Sequence, residues 1–305
     1  MSAPVVPPRR PTPPRPAPLP IPAHHIPGRE PLVMWPADPP PGYRGQLDPD
    51  FQRELAAKWD DVRLEDCYFY HSVLLPDGTF VTGPWDLIGN EKEYLGGIDL
   101  KGRTVFEYGP ASGWLTHYMS EQGADVTIID IGWDLSTDLI PLGTIDLEQT
   151  RREQVARAGQ VVNSWWYVRN AFGHSAKAVY APVYDLPPDL GRFDVSVFGS
   201  ILLHLRDPFM AMQQAAAVTD DAIVVVEPLL VSPEDANKTV LFWNPSKSEN
   251  PNGWWLLPPG VITDMLAVLG FPNATVSYHR QYYVPETNPE LANEVTFFTV
   301  VARRH

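Results

Sequence analysis

The chain has 305 residues, 44% of them hydrophobic and 20% charged, enough for one large domain with additions and a sizeable core. Its formal net charge is −14, so a polyanion such as RNA or DNA would meet repulsion rather than a counterion-releasing basic surface. A single cysteine, Cys67, excludes a disulfide framework and a thiolate-rich metal site.

In chain order, the first feature is proline. Of 34 prolines, 16 lie in residues 1–41. Proline fixes φ and removes a backbone donor, so this stretch is expected to be a disordered, locally polyproline II arm. Arg9, Arg10 and Arg15 would suit a proline-motif ligand, but a spacer tail is the favoured reading. Met1–Arg10 has no apolar core of a secretion signal, and no apolar run approaches the length of a membrane helix. The expectation is a cytoplasmic protein with no membrane contact.

Residues 42–100 read as an extension that packs on the core. Asp48 or Asp50 can cap a helix over 48–60, with Phe51, Leu55 and Trp59 on one face. The run Tyr68–Leu75, the turn Pro76-Asp77-Gly78 and Phe80-Val81 spell a β-hairpin. From Lys101 onward, strand signals at Thr104–Phe106, Val126–Ile129, Val179–Val183, Val195–Phe198 and Ile223–Val226 alternate with helical stretches. These are Trp114–Gln122, about 150–171, and Pro208–Val218, which opens on an Asp207 cap with proline at the first helical position. That alternation predicts a doubly wound α/β domain over 101–305, with helices on both faces of a parallel sheet. A proline-initiated, glycine-terminated helix follows at 259–269. Ala274–His279 and Glu294–Ala302 then read as a closing antiparallel pair.

The most informative stretch is Glu107-Tyr108-Gly109-Pro110-Ala111-Ser112-Gly113, between a strand and a helix. There glycines permit close backbone approach and helix N–H groups face a ligand. Asp130 ends the next strand, 17 residues after Gly113, where a carboxylate can accept from both ribose hydroxyls. A dinucleotide fingerprint would need glycines where Ala111 and Trp114 stand, so NAD is disfavoured. No spacing of His, Cys, Asp and Glu suggests a metal. The pairs Trp165-Trp166 and Trp254-Trp255 could wall a substrate, with one of each pair expected in the core.

This E-x-G-x-x-x-G loop with its acidic second-strand end resembles the class I S-adenosylmethionine-dependent methyltransferases. Val183–Pro187 and Phe193–Pro208 are similar to that family's third-strand turn and fourth strand with its following loop. The resemblance covers about 100–302. It implies a Rossmann-like sheet of seven strands, S-adenosylmethionine as cofactor, and methyl transfer to an oxygen, nitrogen or carbon of a small molecule. Carried over by motif position, Glu107 would bind the methionine amino group, and Gly109, Pro110 and Gly113 would border the methionine part. Asp130 would hold the ribose, with Ile131 beside the adenine. Asp185 and the Leu186 N–H would face the adenine ring, and Gly199 and Ser200 would line the sulfonium side. His204 is the first candidate for a base and His71 the second, although packing among Tyr68, Phe69 and Tyr70 is the stronger reading of His71.

Leu203–Pro208 and Trp254–Pro258 further resemble the branch containing tRNA wobble-uridine carboxymethyltransferases. That branch uses a carboxylated cofactor and tRNA. The acidic balance, the proline-rich arm and the long 131–180 segment depart from it, so neither is carried over. A tRNA-modifying enzyme and a non-catalytic binding protein of this fold remain the alternatives.

Overall fold

The structure is a computed structural model that describes residues 45–132, 138–143, 145–230, 241–242, 251–286 and 289–305, all within one compact unit, Gly42–His305. The proline-rich stretch lies outside the described residues. Asp48 caps helix α1 (Pro49–Ala56) by accepting from the Asp50 and Phe51 N–H groups. The expected helix over 48–60 tightens after Ala56 into a 3-10 turn, Ala57–Trp59. The Trp59 indole stacks on Trp166 at 5.0 Å. Strands β1 (Val73–Leu74) and β2 (Phe80–Val81) form the expected hairpin, with Gly78 at φ +87° in its turn. A short strand β3 (Trp85–Asp86) and a one-turn helix α2 (Glu91–Tyr94) lead to the main sheet.

That sheet takes β4 (Thr104–Tyr108), helix α3 (Trp114–Glu121) and β5 (Asp125–Asp130) in succession, then helix α4 (Leu147–Phe172), β6 (Lys177–Tyr180) and β7 (Phe193–Gly199). Helix α5 (Pro208–Val218) and β8 (Thr219–Pro228) follow. A two-residue pair, β9 (Leu241–Phe242) and β10 (Trp255–Leu256), stands apart. Helix α6 (Pro259–Val268), β11 (Asn273–Tyr283) and β12 (Asn293–Arg303) complete the chain. The strand order is β3-β11-β12-β8-β7-β4-β5-β6. Strands β4 to β8 are mutually parallel where they pair, and β12 and β11 run antiparallel to their neighbours.

The architecture is the doubly wound α/β sheet expected, with two corrections. The sheet has eight strands, not seven, because β3 from the extension pairs with Tyr282 and Tyr283 at the outer edge. The third parallel strand stops at Tyr180 rather than Val183. Pro182 cannot donate to a ladder, and its carbonyl instead accepts from Asp185 N–H at 3.1 Å, closing a turn. The central strands are covered on both sides. Val195, Val197 and the run Ala222–Val226 have no exposed surface, as a parallel sheet flanked by helices requires. Between β4 and β7, Phe106 stacks on Phe193 at 4.5 Å and Tyr108 on Phe198 at 4.2 Å.

Both residues of the first tryptophan pair are core, not one. Trp165 and Trp166 are 2% and 1% exposed. Their rings diverge nearly perpendicularly: Trp165 donates to Thr116 on α3, and Trp166 donates to Tyr180 on β6. Helix α4 is covered on two sides, so both directions are buried.

Candidate active site

From β4 the chain turns to β5 and β6 on one side, then crosses back to β7 on the other. The crevice between the carboxyl ends of β4 and β7 is therefore the switch point where open α/β sheets bind ligands. Glu107 and Tyr108 end β4, and the following loop makes a sharp left-handed course. Gly109 has φ +64°, Ala111 +48° and Gly113 +82°. Its glycines serve packing as well as backbone approach. A Cβ on Gly109 would lie 2.7 Å from Ile201 Cδ1, and one on Gly113 2.9 Å from Trp165 Cδ1. Pro110 is buried within the loop. Among the described residues, the non-glycine positions with positive φ are Ala111 and, across the crevice, Ser200 at +58°. Strain of this kind persists where surrounding structure enforces it, often at functional sites.

The Glu107 carboxyl is 2% exposed and accepts from the Thr116 hydroxyl. No lysine, arginine or histidine pairs with it among the described residues, and burial pushes it up to about 8 against the Thr116 hydrogen bond. Asp130, half-buried at the end of β5, accepts from the Ile131 N–H at 2.7 Å and is pushed up to about 6 by its burial. These two carboxyls close adjacent parallel strands. Gly199 and Ser200 close β7 opposite them, and Ser200 N–H is anchored on the Val226 carbonyl at 2.8 Å. Asp185 and Leu186 lie in the turn after β6, Asp185 exposed and Leu186 buried. The structure thus gathers Glu107, Gly109, Gly113, Asp130, Gly199 and Ser200 along three neighbouring strand ends and sets Asp185 and Leu186 beyond β6.

His204 ends a 3-10 turn, Leu202–His204, just past β7. Its Nδ1 donates to the Asn252 carbonyl at 2.7 Å. That bond fixes the tautomer and leaves Nε2 as an acceptor with no partner among the described residues. Burial holds the imidazole below its ordinary value, so it stays neutral at physiological pH. Trp254 N–H donates to the Leu203 carbonyl at 2.8 Å and its indole to the Asp138 carbonyl at 2.9 Å. Residues 251–256 therefore clamp the loop that carries His204. Trp254 is buried and Trp255 half-buried, so this pair divides as expected.

The extension reaches the glycine loop directly. The buried Ser112 hydroxyl accepts from the Tyr70 and His71 N–H groups. His71 is 9% exposed, its Nδ1 has no partner, and burial lowers it to about 4. It is a neutral ring packed behind the loop beside Tyr70, 5.4 Å between ring centres.

Two buried groups near the crevice escaped the sequence reading. Glu227, at the end of β8, is 2% exposed and accepts from Leu202 N–H at 2.8 Å. Burial pushes it up to about 8. Its signal was available, since it follows the apolar run Ile223–Val226 as Glu107 follows Val105-Phe106. Tyr94, 2% exposed, brings its hydroxyl to 3.5 Å from where a Gly199 Cβ would stand. Nothing in its local sequence marks it. No group of three or more potential metal ligands is found among the described residues.

No protein-family model matches the sequence, and no curated protein matches it. Solved structures resemble it at low similarity. The N-terminal domain of EvdMO1 with SAH bound is 17% identical, spans 83% of this chain and 97% of its own, and has a TM-score of 0.45. The Burkholderia thailandensis 1,6-didemethyltoxoflavin-N1-methyltransferase is 16% identical over 70% of this chain and 73% of its own, with a TM-score of 0.42. Magnesium protoporphyrin IX methyltransferase from Synechocystis PCC 6803 is 15% identical over 68% and 76%, with a TM-score of 0.41. At these identities and TM-scores the likeness carries no argument, and any assignment of fold or chemistry rests on this chain's own strands and residues.

Proposed function

We propose that the chain is an S-adenosylmethionine-dependent methyltransferase acting on a small molecule. The observation that carries this reading is the buried Glu107 carboxyl, which meets no cation of the protein although it stands at the switch point of the sheet. A buried carboxylate is costly unless paired, so its natural partner is a cationic ligand such as the ammonium of an amino acid. Asp130 fits a ribose at the neighbouring strand end, and the loop 109–113 fits a ligand without a pyrophosphate. The residues present therefore suit the cofactor: Glu107 for its amino group, Asp130 for its hydroxyls, Ile131, Asp185 and Leu186 for its base.

When bound, the cofactor supplies a methyl group activated by a sulfonium. The protein contributes alignment of the acceptor with that methyl and exclusion of water. His204 Nε2 is the group this reading assigns to take the proton that an acceptor oxygen or nitrogen gives up. His71, buried behind the glycine loop, serves packing in this reading. In this reading the 1–41 arm is a spacer, 42–100 an extension packing on the core, and 101–305 the catalytic domain. This reading keeps the cytoplasmic location expected from the sequence. Among the described residues, no helix is long and apolar enough to cross a membrane.

The test is calorimetric titration of S-adenosylmethionine and NAD into the protein and its Asp130→Ala variant, followed by a labelled-methyl acceptor screen. Binding of S-adenosylmethionine alone, lost in the variant, is expected. Absence of binding in a folded sample refutes the reading. A gel shift with bulk tRNA at low salt tests the tRNA-modifying alternative, which the net charge of −14 weighs against.

A further inference from the structure

We infer that the Tyr94 hydroxyl faces the position of the transferable methyl, as a positioning residue contributed by the extension rather than by the sheet. The inference rests on the cofactor reading above. Tyr94 is 2% exposed, yet its hydroxyl has no hydrogen-bond partner among the described residues. The oxygen is not fully buried: part of the little surface Tyr94 keeps lies at its hydroxyl, so a group bound at the end of β7 is the partner open to it.

The placement is tightly determined. Tyr94 N–H donates to Asn90 O at 2.9 Å, and its carbonyl accepts from the Thr299 hydroxyl at 2.8 Å on β12. Its ring packs edge-on to His279 at 5.5 Å and near Phe297 at 6.2 Å. The hydroxyl thereby reaches the end of β7, 3.5 Å from the Cβ that Gly199 lacks, with Leu115 of α3 at 3.7 Å from the same point. Glu227, Tyr70 and Glu107 are the ionisable groups that bear on it. All are acidic, and none is a cation. The oxygen thus lies among groups that favour positive polarity: a sulfonium methyl, or an acceptor that brings hydrogen-bond donors.

The test needs no acceptor. Sinefungin carries an ammonium-bearing carbon where the methylated sulfonium would be, whereas S-adenosylhomocysteine has a neutral thioether sulfur with no group in the methyl's place. Calorimetry with both ligands reads that single position. Tyr94→Phe is expected to weaken sinefungin about tenfold while leaving S-adenosylhomocysteine within about twofold, since only the former loses a charge-assisted hydrogen bond. The melting temperature should hold, because the hydroxyl makes no bond within the protein. Gly199→Ala places a methyl 3.5 Å from the hydroxyl and should discriminate in the same direction. Equal losses for both ligands, or no loss for either, overturn the inference. Failure of the wild-type protein to bind either ligand at millimolar concentration overturns the cofactor reading itself, and this inference with it.

Discussion

Glu107 makes the sharpest prediction. Its carboxyl is pushed up to about 8 by burial with no cation beside it. At pH 7 it is therefore about 90% protonated in the free protein, and a ligand ammonium must displace that proton. Cofactor binding at pH 7 should release about 0.7–0.8 proton, the roughly 0.9 from Glu107 less the 0.1–0.2 that the ligand's own amino group takes up. The same coupling withholds about 1.4 kcal/mol of affinity at pH 7 relative to the fully ionised site. Affinity should strengthen roughly tenfold per pH unit from about pH 6 to 7.5, then level off as the ligand's own α-amino group, with an ordinary value near 7.7–8.0, loses its proton. Calorimetric titration of S-adenosylmethionine in buffers of different ionisation enthalpy counts the proton directly. Glu107→Gln keeps the shape and can still accept from Thr116. It should abolish the release and weaken binding by about 30- to 150-fold, the loss of a charge-assisted hydrogen bond of about 2–3 kcal/mol. Binding with no proton release and a flat pH profile would refute the reasoning, because it would mean that the ammonium does not meet this carboxyl.

The remaining predictions concern stability and reactivity. Burial lowers His71, His174 and His279 to about 4, below their ordinary 6.5, so folding stability is lost as pH falls from about 6.5 toward 4; His71 alone accounts for about 3 kcal/mol. Glu107 and Glu227 are raised from 4.5 to about 8, so their contribution is lost as pH rises through that window. Thermal melts of the free protein should therefore peak between about pH 5 and 6.5, and a maximum at pH 8 or above would sink this account. Gly113→Ala meets both a φ of +82° and Trp165 at 2.9 Å, and should destabilise by about 2–4 kcal/mol in denaturant unfolding. Ser112→Ala removes the acceptor of two N–H groups, and should cost about 1–3 kcal/mol and accelerate amide exchange at Tyr70 and His71. Cys67, pushed up to about 12 by burial and then by Asp66, should alkylate far more slowly at pH 8 than a free thiol.

Much of the sheet was legible because its signals are local. Short β-branched runs, a proline after an Asp cap and a glycine just past a helix need no partner to be recognised. Asp207 does cap α5 through the Met210 N–H, and Gly270 follows α6 at φ +93°. The misses are tertiary. Nothing in Trp85-Asp86 announces an eighth strand, since its pairing depends on Tyr282 and Tyr283, nearly 200 residues later. The Val179–Val183 run looked continuous, and only the missing donor of Pro182 ends it. The tryptophan pair of α4 read as half exposed because helix geometry sends adjacent residues apart, yet β6 and α3 cover both directions.

The site divides along the same line. Glu107, Gly109, Gly113 and Asp130 could be read because a strand end, a turn and a spacing define them. Their glycines nonetheless carry a duty the sequence conceals, since Trp165 and Ile201 occupy the space a Cβ would need. Glu227 could have been read by the logic applied to Glu107, a carboxylate terminating an apolar strand. Its role is different: it accepts from Leu202 N–H and so holds the turn that presents His204. Two buried carboxyls thus flank β7, one from β4 bonded only to a hydroxyl, the other from β8 committed to the backbone. Burying either is unfavourable in isolation. The backbone N–H offsets that cost for Glu227, whereas Glu107 is left with Thr116 alone. The asymmetry is what singles out Glu107, among the buried carboxyls at the switch point, as the one the proposed function assigns to a cation from outside the protein.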